Sequence, residues 1–139
     1  MKDEYDVMDS SGLNYEIADF ALESGVVLPR VQVRYNTYGT LNEAKDNILI
    51  VCHALTGNSA IDKWWGGILG PGKAFDTDKY LVVGANSLCS CYGSTGPLSI
   101  NPLTDKPYLN DFPAVTIRDS VRVRDRQSNA IMYIVCLSV

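Results

Sequence analysis

One histidine, four cysteines and a set of loop serines are the side chains of this 139-residue chain best suited to supply a base, a nucleophile or a soft metal ligand. The histidine, His53, follows an apolar run and opens the string His53-Ala-Leu-Thr-Gly57. A catalytic base needs a nucleophile and an orienting acid within hydrogen-bond reach. In triads built on a strand-to-helix elbow the histidine comes last in the chain, after the serine and the acid. His53 comes before the serines that could serve it. It is expected to shape its loop, with a ring nitrogen bonded to backbone.

Ser59, Ser87, Ser90, Ser94, Ser99 and Ser138 are the serines to consider. None stands in G-x-S-x-G, the sharp turn that exposes a nucleophilic hydroxyl. Ser94, in Tyr92-Gly-Ser-Thr-Gly96, comes closest but lacks one glycine. Polar loop-building is the role expected of all six. Cys52 and Cys136 lie in apolar runs and read as small buried hydrophobes. Cys89 and Cys91 form a C-x-C pair, tighter than the usual spacing of zinc ligands. With a single histidine, no four-ligand metal site is expected, and reduced thiols in a cytosolic protein are the simpler reading. Gly67-Ile-Leu-Gly-Pro-Gly72-Lys73 mimics a phosphate-binding loop, but Ala74 stands where a Ser or Thr must reach magnesium. Pro71 also removes a backbone donor that would hold phosphate.

The elements around these residues suit an α/β fold. Residues 17–22 and 31–38 read as strands, with Glu23-Ser-Gly25 turning between them, so an antiparallel hairpin is predicted. In the second strand Val31, Val33, Tyr35 and Thr37 share one face. Residues 48–52 lack alternation and suit a strand covered on both faces, as in a parallel sheet. Residues 80–84 read as a second buried strand. Glycines at 57, 66, 67, 70 and 72 leave residues 57–79 little regular structure, with Trp64 and Trp65 folding that loop onto the body. Thr116-Ile-Arg-Asp119 has the form of a capping box, so a helix should start at Ile117. Residues 123–129 are too polar for a continued helix, and residues 130–135 read as a further strand. An apolar strand that breaks into His53-Ala-Leu-Thr-Gly57 sets backbone N–H groups at the carboxyl end of the sheet. Open α/β sheets bind ligands there.

Bulk properties exclude several classes. The chain is 46% apolar and 20% charged, ordinary for a globular domain, and has the length of one domain. Its net charge of −4 argues against nucleic acid or an anionic membrane as the main partner. No apolar run is long enough to span a bilayer. The acidic start, Met1-Lys-Asp-Glu-Tyr-Asp6, fits neither a secretory signal nor a transit peptide, so the cytoplasm is the expected location.

Several strings together resemble the homoserine O-acetyltransferase family. They are Leu22-Glu-Ser-Gly-Val-Val-Leu-Pro29, Tyr35-Asn-Thr-Tyr-Gly-Thr-Leu-Asn42, Val51-Cys-His-Ala-Leu-Thr-Gly57 and Trp64-Trp65. Gly70-Pro-Gly-Lys73, Phe75-Asp-Thr-Asp78, Cys91-Tyr-Gly-Ser-Thr-Gly-Pro97, Ser99-Ile-Asn-Pro102 and Thr116-Ile-Arg-Asp119 continue the series in the family's order. The resemblance implies an α/β-hydrolase fold, here truncated to a β-hairpin, the first parallel strands and one helix of a mixed sheet. It implies acetyl transfer from acetyl-CoA, a co-substrate and not a resident cofactor, to the hydroxyl of L-homoserine in methionine synthesis. A serine in a nucleophile elbow would carry the acetyl group, served by a His–Asp pair.

Carried onto this chain, the resemblance assigns the backbone N–H of Leu55 to an oxyanion hole, with Thr56 and Gly57 lining the site. Cys91, Tyr92, Gly93 and Ser94 belong to loop architecture, and Cys89 stands where a glycine is expected. No catalytic residue of the triad and no metal ligand can be assigned. Residues 1–14 are read as a loose segment, residues 15–122 as the N-terminal part of an α/β-hydrolase domain, and residues 123–139 as a tail foreign to the family. A truncated or alternatively read product, inactive alone, is the expectation. The expected partners are the small substrates, with neither nucleic acid nor membrane, and a homodimer is left open. Two other readings stand: a serine O-acyltransferase of the same family using an acetyl or succinyl donor, and a non-enzymatic fragment that pairs with a full-length subunit.

Overall fold

Alternating apolar and polar residues build the two longest strands. The computed structural model describes residues 11–136 of the chain, and the side chains of residues 11–129. β1 (Leu13–Ala21) and β2 (Val27–Tyr38) pair as an antiparallel hairpin, so β1 starts inside the segment read as loose. Residues 1–10 of that segment lie outside the described residues. Gly25 closes the hairpin turn at φ +84°, a left-handed conformation that glycine adopts without a Cβ clash.

β3 (Ile48–Val51) and β4 (Leu81–Ala85) pair in parallel, and β4 also pairs antiparallel with β2. The sheet order is β1-β2-β4-β3. β4 is therefore the strand buried on both faces. Leu81, Val83 and Ala85 join Phe20, Leu28, Val31 and Val33 in the core on one side, and Val82 joins Val51 and Ile61 on the other. Complete burial of side chains of this size contributes about 1.5–3 kcal/mol each. The expectation that residues 48–52 are covered on both faces is corrected. Among the described residues β3 pairs only with β4, and Ile50 is 42% exposed. Cys52, expected to be buried, is exposed just past the end of β3.

Each face of the sheet carries a helix. The short α1 (Ile61–Trp65) interrupts the loop expected to be irregular and sets Ile61 against β4. Gly84 permits this: a Cβ there would sit 2.7 Å from Ile61 Cδ1 and from the Ser59 carbonyl oxygen. Trp64 is half-buried against this core, whereas Trp65 is 41% exposed. A two-residue hairpin of β5 (Ile100–Asn101) and β6 (Lys106–Pro107) and a single 3-10 turn precede α2.

α2 (Ile117–Cys136) begins at the predicted residue but runs through both segments expected to be otherwise. Residues 123–129 are helical, and residues 130–135 continue the helix in place of the predicted strand. Polar content misled because a helix on a sheet needs only a narrow inward stripe. Asp119, Val123 and Gln127, four apart, are all buried, and the Arg122 and Arg126 guanidinium groups lie 5.2 and 5.4 Å from the Phe20 ring centroid. No Gly or Pro interrupts residues 117–139. The side chain of Cys136 lies outside the described residues.

The capping box at the start of α2 also ties the helix to the hairpin. The Asp119 N–H donates to Thr116 Oγ1 at 3.1 Å, and the Thr116 N–H donates to Asp119 Oδ2 at 3.0 Å. Asp119 Oδ1 accepts the N–H of Glu23, in the hairpin turn, at 2.9 Å. Burial pushes the Asp119 carboxyl up, but the N–H groups of Thr116 and Glu23, the Thr116 hydroxyl and Arg122 outweigh it and hold the group below its ordinary value of 3.8.

The loop after β4 extends the sheet beyond that strand. The Thr95 N–H donates to the Gln32 carbonyl at 2.8 Å, and the Gln32 and Arg34 N–H groups donate to Thr95 Oγ1 and Ser94 Oγ at 2.7 and 3.1 Å. Within this loop Cys89 holds φ +69°. That left-handed conformation explains why glycine is expected at this position.

Two predictions follow from these contacts. Cys89→Gly is expected to raise stability by about 0.5–1 kcal/mol, read as a higher urea midpoint, because the strained Cβ is removed. Asp119→Ala is expected to lower stability at neutral pH by about 2 kcal/mol, since the charge-assisted bonds from the Glu23 and Thr116 N–H groups to its buried carboxylate are lost. A carboxyl that holds its proton more weakly folded than unfolded stabilises above the unfolded value of 3.8 and loses that contribution as pH falls through the folded value. The parent chain should therefore lose stability in acid over that window, and Asp119→Ala should show a shallower acid limb in pH-dependent urea melts.

Candidate functional site

The chain leaves β3 at Val51 and turns at once. The Gly57 N–H donates to the Ala54 carbonyl at 2.9 Å, closing a β-turn with Leu55 and Thr56 at its centre. The Leu55 side chain is 100% exposed, so apolar burial does not account for this residue. Among the described residues, neither the Leu55 nor the Thr56 N–H donates a hydrogen bond. Two adjacent free donors at the carboxyl end of a parallel strand pair can receive an anionic oxygen.

His53, just before the turn, is spent on backbone groups of its own loop and of the segment after β4. Nδ1 lies 2.8 Å from the Ala54 carbonyl oxygen, and Nε2 accepts the Ser87 N–H at 3.3 Å. These partners match the tautomer that carries its proton on Nδ1. No serine hydroxyl bonds to it among the described residues.

The serines build loops. Ser94 is buried; its Oγ accepts the Arg34 N–H and donates to the Asn86 carbonyl at 3.2 Å. Ser59 Oγ accepts from Asn36 Nδ2 at 3.0 Å, Ser87 Oγ from Arg124 at 2.7 Å, Ser90 Oγ from the Tyr92 N–H at 3.3 Å and Ser99 Oγ from the Gly96 N–H at 3.0 Å. Ser138 lies outside the described residues. The phosphate-loop mimic is closed as well. Asp76 Oδ1 accepts the Gly72 N–H at 2.9 Å, and Lys73 Nζ turns back to the Gly66 carbonyl at 2.7 Å. A carboxylate thus stands where a phosphate would need free donors.

Cys89 and Cys91 line a cavity of about 410 Å³ with Gln32, Ser94 and Leu98, and residues 53–57 do not border it. Burial pushes the Cys89 thiol up, which favours the protonated, unreactive form. Among the described residues, no three His, Cys, Asp or Glu side chains cluster to hold a metal ion, and no helix is long and apolar enough to cross a membrane.

Two residues at this end of the sheet were not singled out in the sequence. Asn86, immediately after β4, accepts the Ser59 N–H through Oδ1 at 2.7 Å and donates through Nδ2 to the Tyr92 carbonyl at 2.6 Å. Its only signal was an amide directly following an apolar strand. Arg124 reaches from α2 to Ser87 Oγ and to Cys52 Sγ, the latter at 3.3 Å. It sits in the stretch read as foreign, which hid it.

No protein-family model matches the chain. The homoserine O-acetyltransferase of Chlorobium luteolum is 54% identical over 104 residues, covering 75% of this chain and 29% of that protein. That of Chlorobaculum parvum is 50% identical over 115 residues, covering 83% of this chain and 32% of that protein. The chain thus spans about a third of the length of these relatives. The crystal structure of homoserine O-acetyltransferase from Bacillus anthracis matches with a TM-score of 0.77 at 34% identity, over 86% of this chain and 36% of that chain. Esterase E22 matches with a TM-score of 0.77 at 37% identity, over 86% of this chain and 37% of that one. About half of the residues are shared with the Chlorobium and Chlorobaculum relatives over most of the chain, and the sheet is that of the α/β-hydrolase structures it matches; the chain belongs to the homoserine O-acetyltransferase family.

Proposed function

We propose that residues 54–57 are the oxyanion-stabilising turn of an acyltransferase that moves acetyl from acetyl-CoA to the hydroxyl of L-homoserine, a cytoplasmic step of methionine synthesis. The observation that carries this reading is the pair of free N–H groups at Leu55 and Thr56, displayed where β3 ends. When a nucleophile adds to the thioester carbonyl, negative charge collects on oxygen. A fixed N–H aimed at that oxygen lowers the barrier by about 3 kcal/mol. The same turn would serve again when homoserine attacks the acetyl-enzyme, since the second tetrahedral intermediate carries the same charge.

Ser59, Ser87, Ser90, Ser94 and Ser99 all hold structural bonds, so the turn and its sheet are what we assign to this stretch, and the 139 residues alone are not expected to turn over substrate. The turn would hold an acetyl or succinyl carbonyl alike, and a homoserine or serine acceptor alike. The relatives' shared name favours acetyl and homoserine. A second reading, pairing with a full-length subunit, is favoured by the open edge of β3, whose unpaired backbone groups form a template for another strand.

The test grafts residues 16–122 into the corresponding stretch of the Chlorobium luteolum relative and assays acetyl transfer to homoserine. The graft is expected to be active. Leu55→Pro within it removes the N–H at a turn position that proline tolerates, and should lower kcat by about 10²–10³-fold with an unchanged Tm. A full rate in Leu55→Pro, or a folded graft without transfer, would contradict the proposal.

A further inference from the structure

Residues 54–56 are exposed, so packing does not hold the turn where a reacting oxygen would need it. Its two flanks are tied instead to the segment after β4. On the N-terminal flank, His53 Nε2 accepts the Ser87 N–H at 3.3 Å, a long bond. On the C-terminal flank, the Ser59 N–H donates to Asn86 Oδ1 at 2.7 Å, the shorter and more buried of the two ties.

Asn86 is 1% exposed, and each half of its amide has a partner that only that half can serve. The Ser59 N–H requires an acceptor, and the Tyr92 carbonyl, 2.6 Å from Nδ2, requires a donor. A flipped amide would set donor against donor and acceptor against acceptor, so the side chain has one orientation. Its backbone is fixed too: the Asn86 N–H donates to the Arg34 carbonyl of β2 at 2.9 Å, and its carbonyl accepts the Ser94 hydroxyl at 3.2 Å. Ser59 is gripped a second time by Asn36 Nδ2, again from β2. The hub of the sheet and the exit of the turn thus share one rigid amide.

We infer that Asn86 is a positioning residue for the oxyanion-stabilising turn. It acts through Ser59 to hold the Leu55 and Thr56 N–H groups in a fixed direction. The inference rests on the proposed role of that turn, and adds the group that preorganises it.

The test uses the 139-residue chain and residue-resolved amide hydrogen exchange. The Gly57 amide reports closure of the turn, and Val31 and Val33 report the core. In Asn86→Ala the Gly57 protection factor is expected to fall by about tenfold or more, while Val31 and Val33 change by less than about threefold. Asn86→Asp supplies a test that survives if the alanine variant fails to fold. Its charged carboxylate opposes the Tyr92 carbonyl, whereas the protonated acid can accept from Ser59 and donate to Tyr92. Gly57 protection in Asn86→Asp should therefore recover as pH is lowered from about 8 to about 5, a rescue that a space-filling role would not produce. Unchanged Gly57 protection in Asn86→Ala, a parallel fall at Val31 and Val33, or an Asn86→Asp variant without pH-dependent recovery would overturn the inference. Those outcomes leave the role of the turn standing. Conversely, a fully active Leu55→Pro graft would remove that role and leave the Asn86 tie intact.

Discussion

β2 is twelve residues long and its inner neighbour β4 only five, and the backbone donors left over dictate how the functional end of the sheet is built. Where β4 stops pairing, β2 still presents the N–H groups of Gln32 and Arg34. Buried donors cannot go unpaired without a cost of about 1–3 kcal/mol each. The chain meets them with the hydroxyls of Thr95 and Ser94. Those bonds hold the loop after β4 against the sheet, and that loop supplies the Tyr92 carbonyl that orients Asn86. The turn after β3 is thus shaped by a mismatch in strand length two strands away.

The same logic gives Ser94, His53, Asn86 and Ser59 a structural task at this end. Ser94, in the string most like a nucleophile motif, spends its hydroxyl on the Arg34 N–H and the Asn86 carbonyl. The one histidine spends both ring nitrogens on backbone. Among the described residues the Leu55 and Thr56 N–H groups remain free. A site made of backbone N–H groups depends little on side-chain identity and heavily on loop geometry. That is why Leu55 can expose its whole side chain in the position proposed to stabilise charge.

Strand alternation in β2, the hairpin turn at Gly25 and the start of α2 were legible in the sequence because each rests on a local rule: a period of two, a positive φ and a capping box. A loop at the end of β3 was legible from the break in the apolar run, whereas the proposal of Leu55 as its donor came only through the family resemblance, since a free N–H leaves no mark on composition. Cys52 and Ile50 misled because an apolar run does not say which strand lies at an edge; pairing decides that. Residues 123–129 misled because Arg122 and Arg126 cover Phe20 while only Val123 and Gln127 face inward. Asn86 and Arg124 escaped notice because their partners lie 27 and 37 residues away.

Among the described residues, two adjacent donors stand ready and unspent at the end of β3. The most direct measurement is the solvent exchange rate of individual backbone amides in this chain. The Leu55 and Thr56 amides should exchange close to the rate of an unstructured peptide, while those of Gly57 and Val83 are protected. Protection of Leu55 and Thr56 equal to that of Gly57 would show their hydrogens already taken, and would contradict the account.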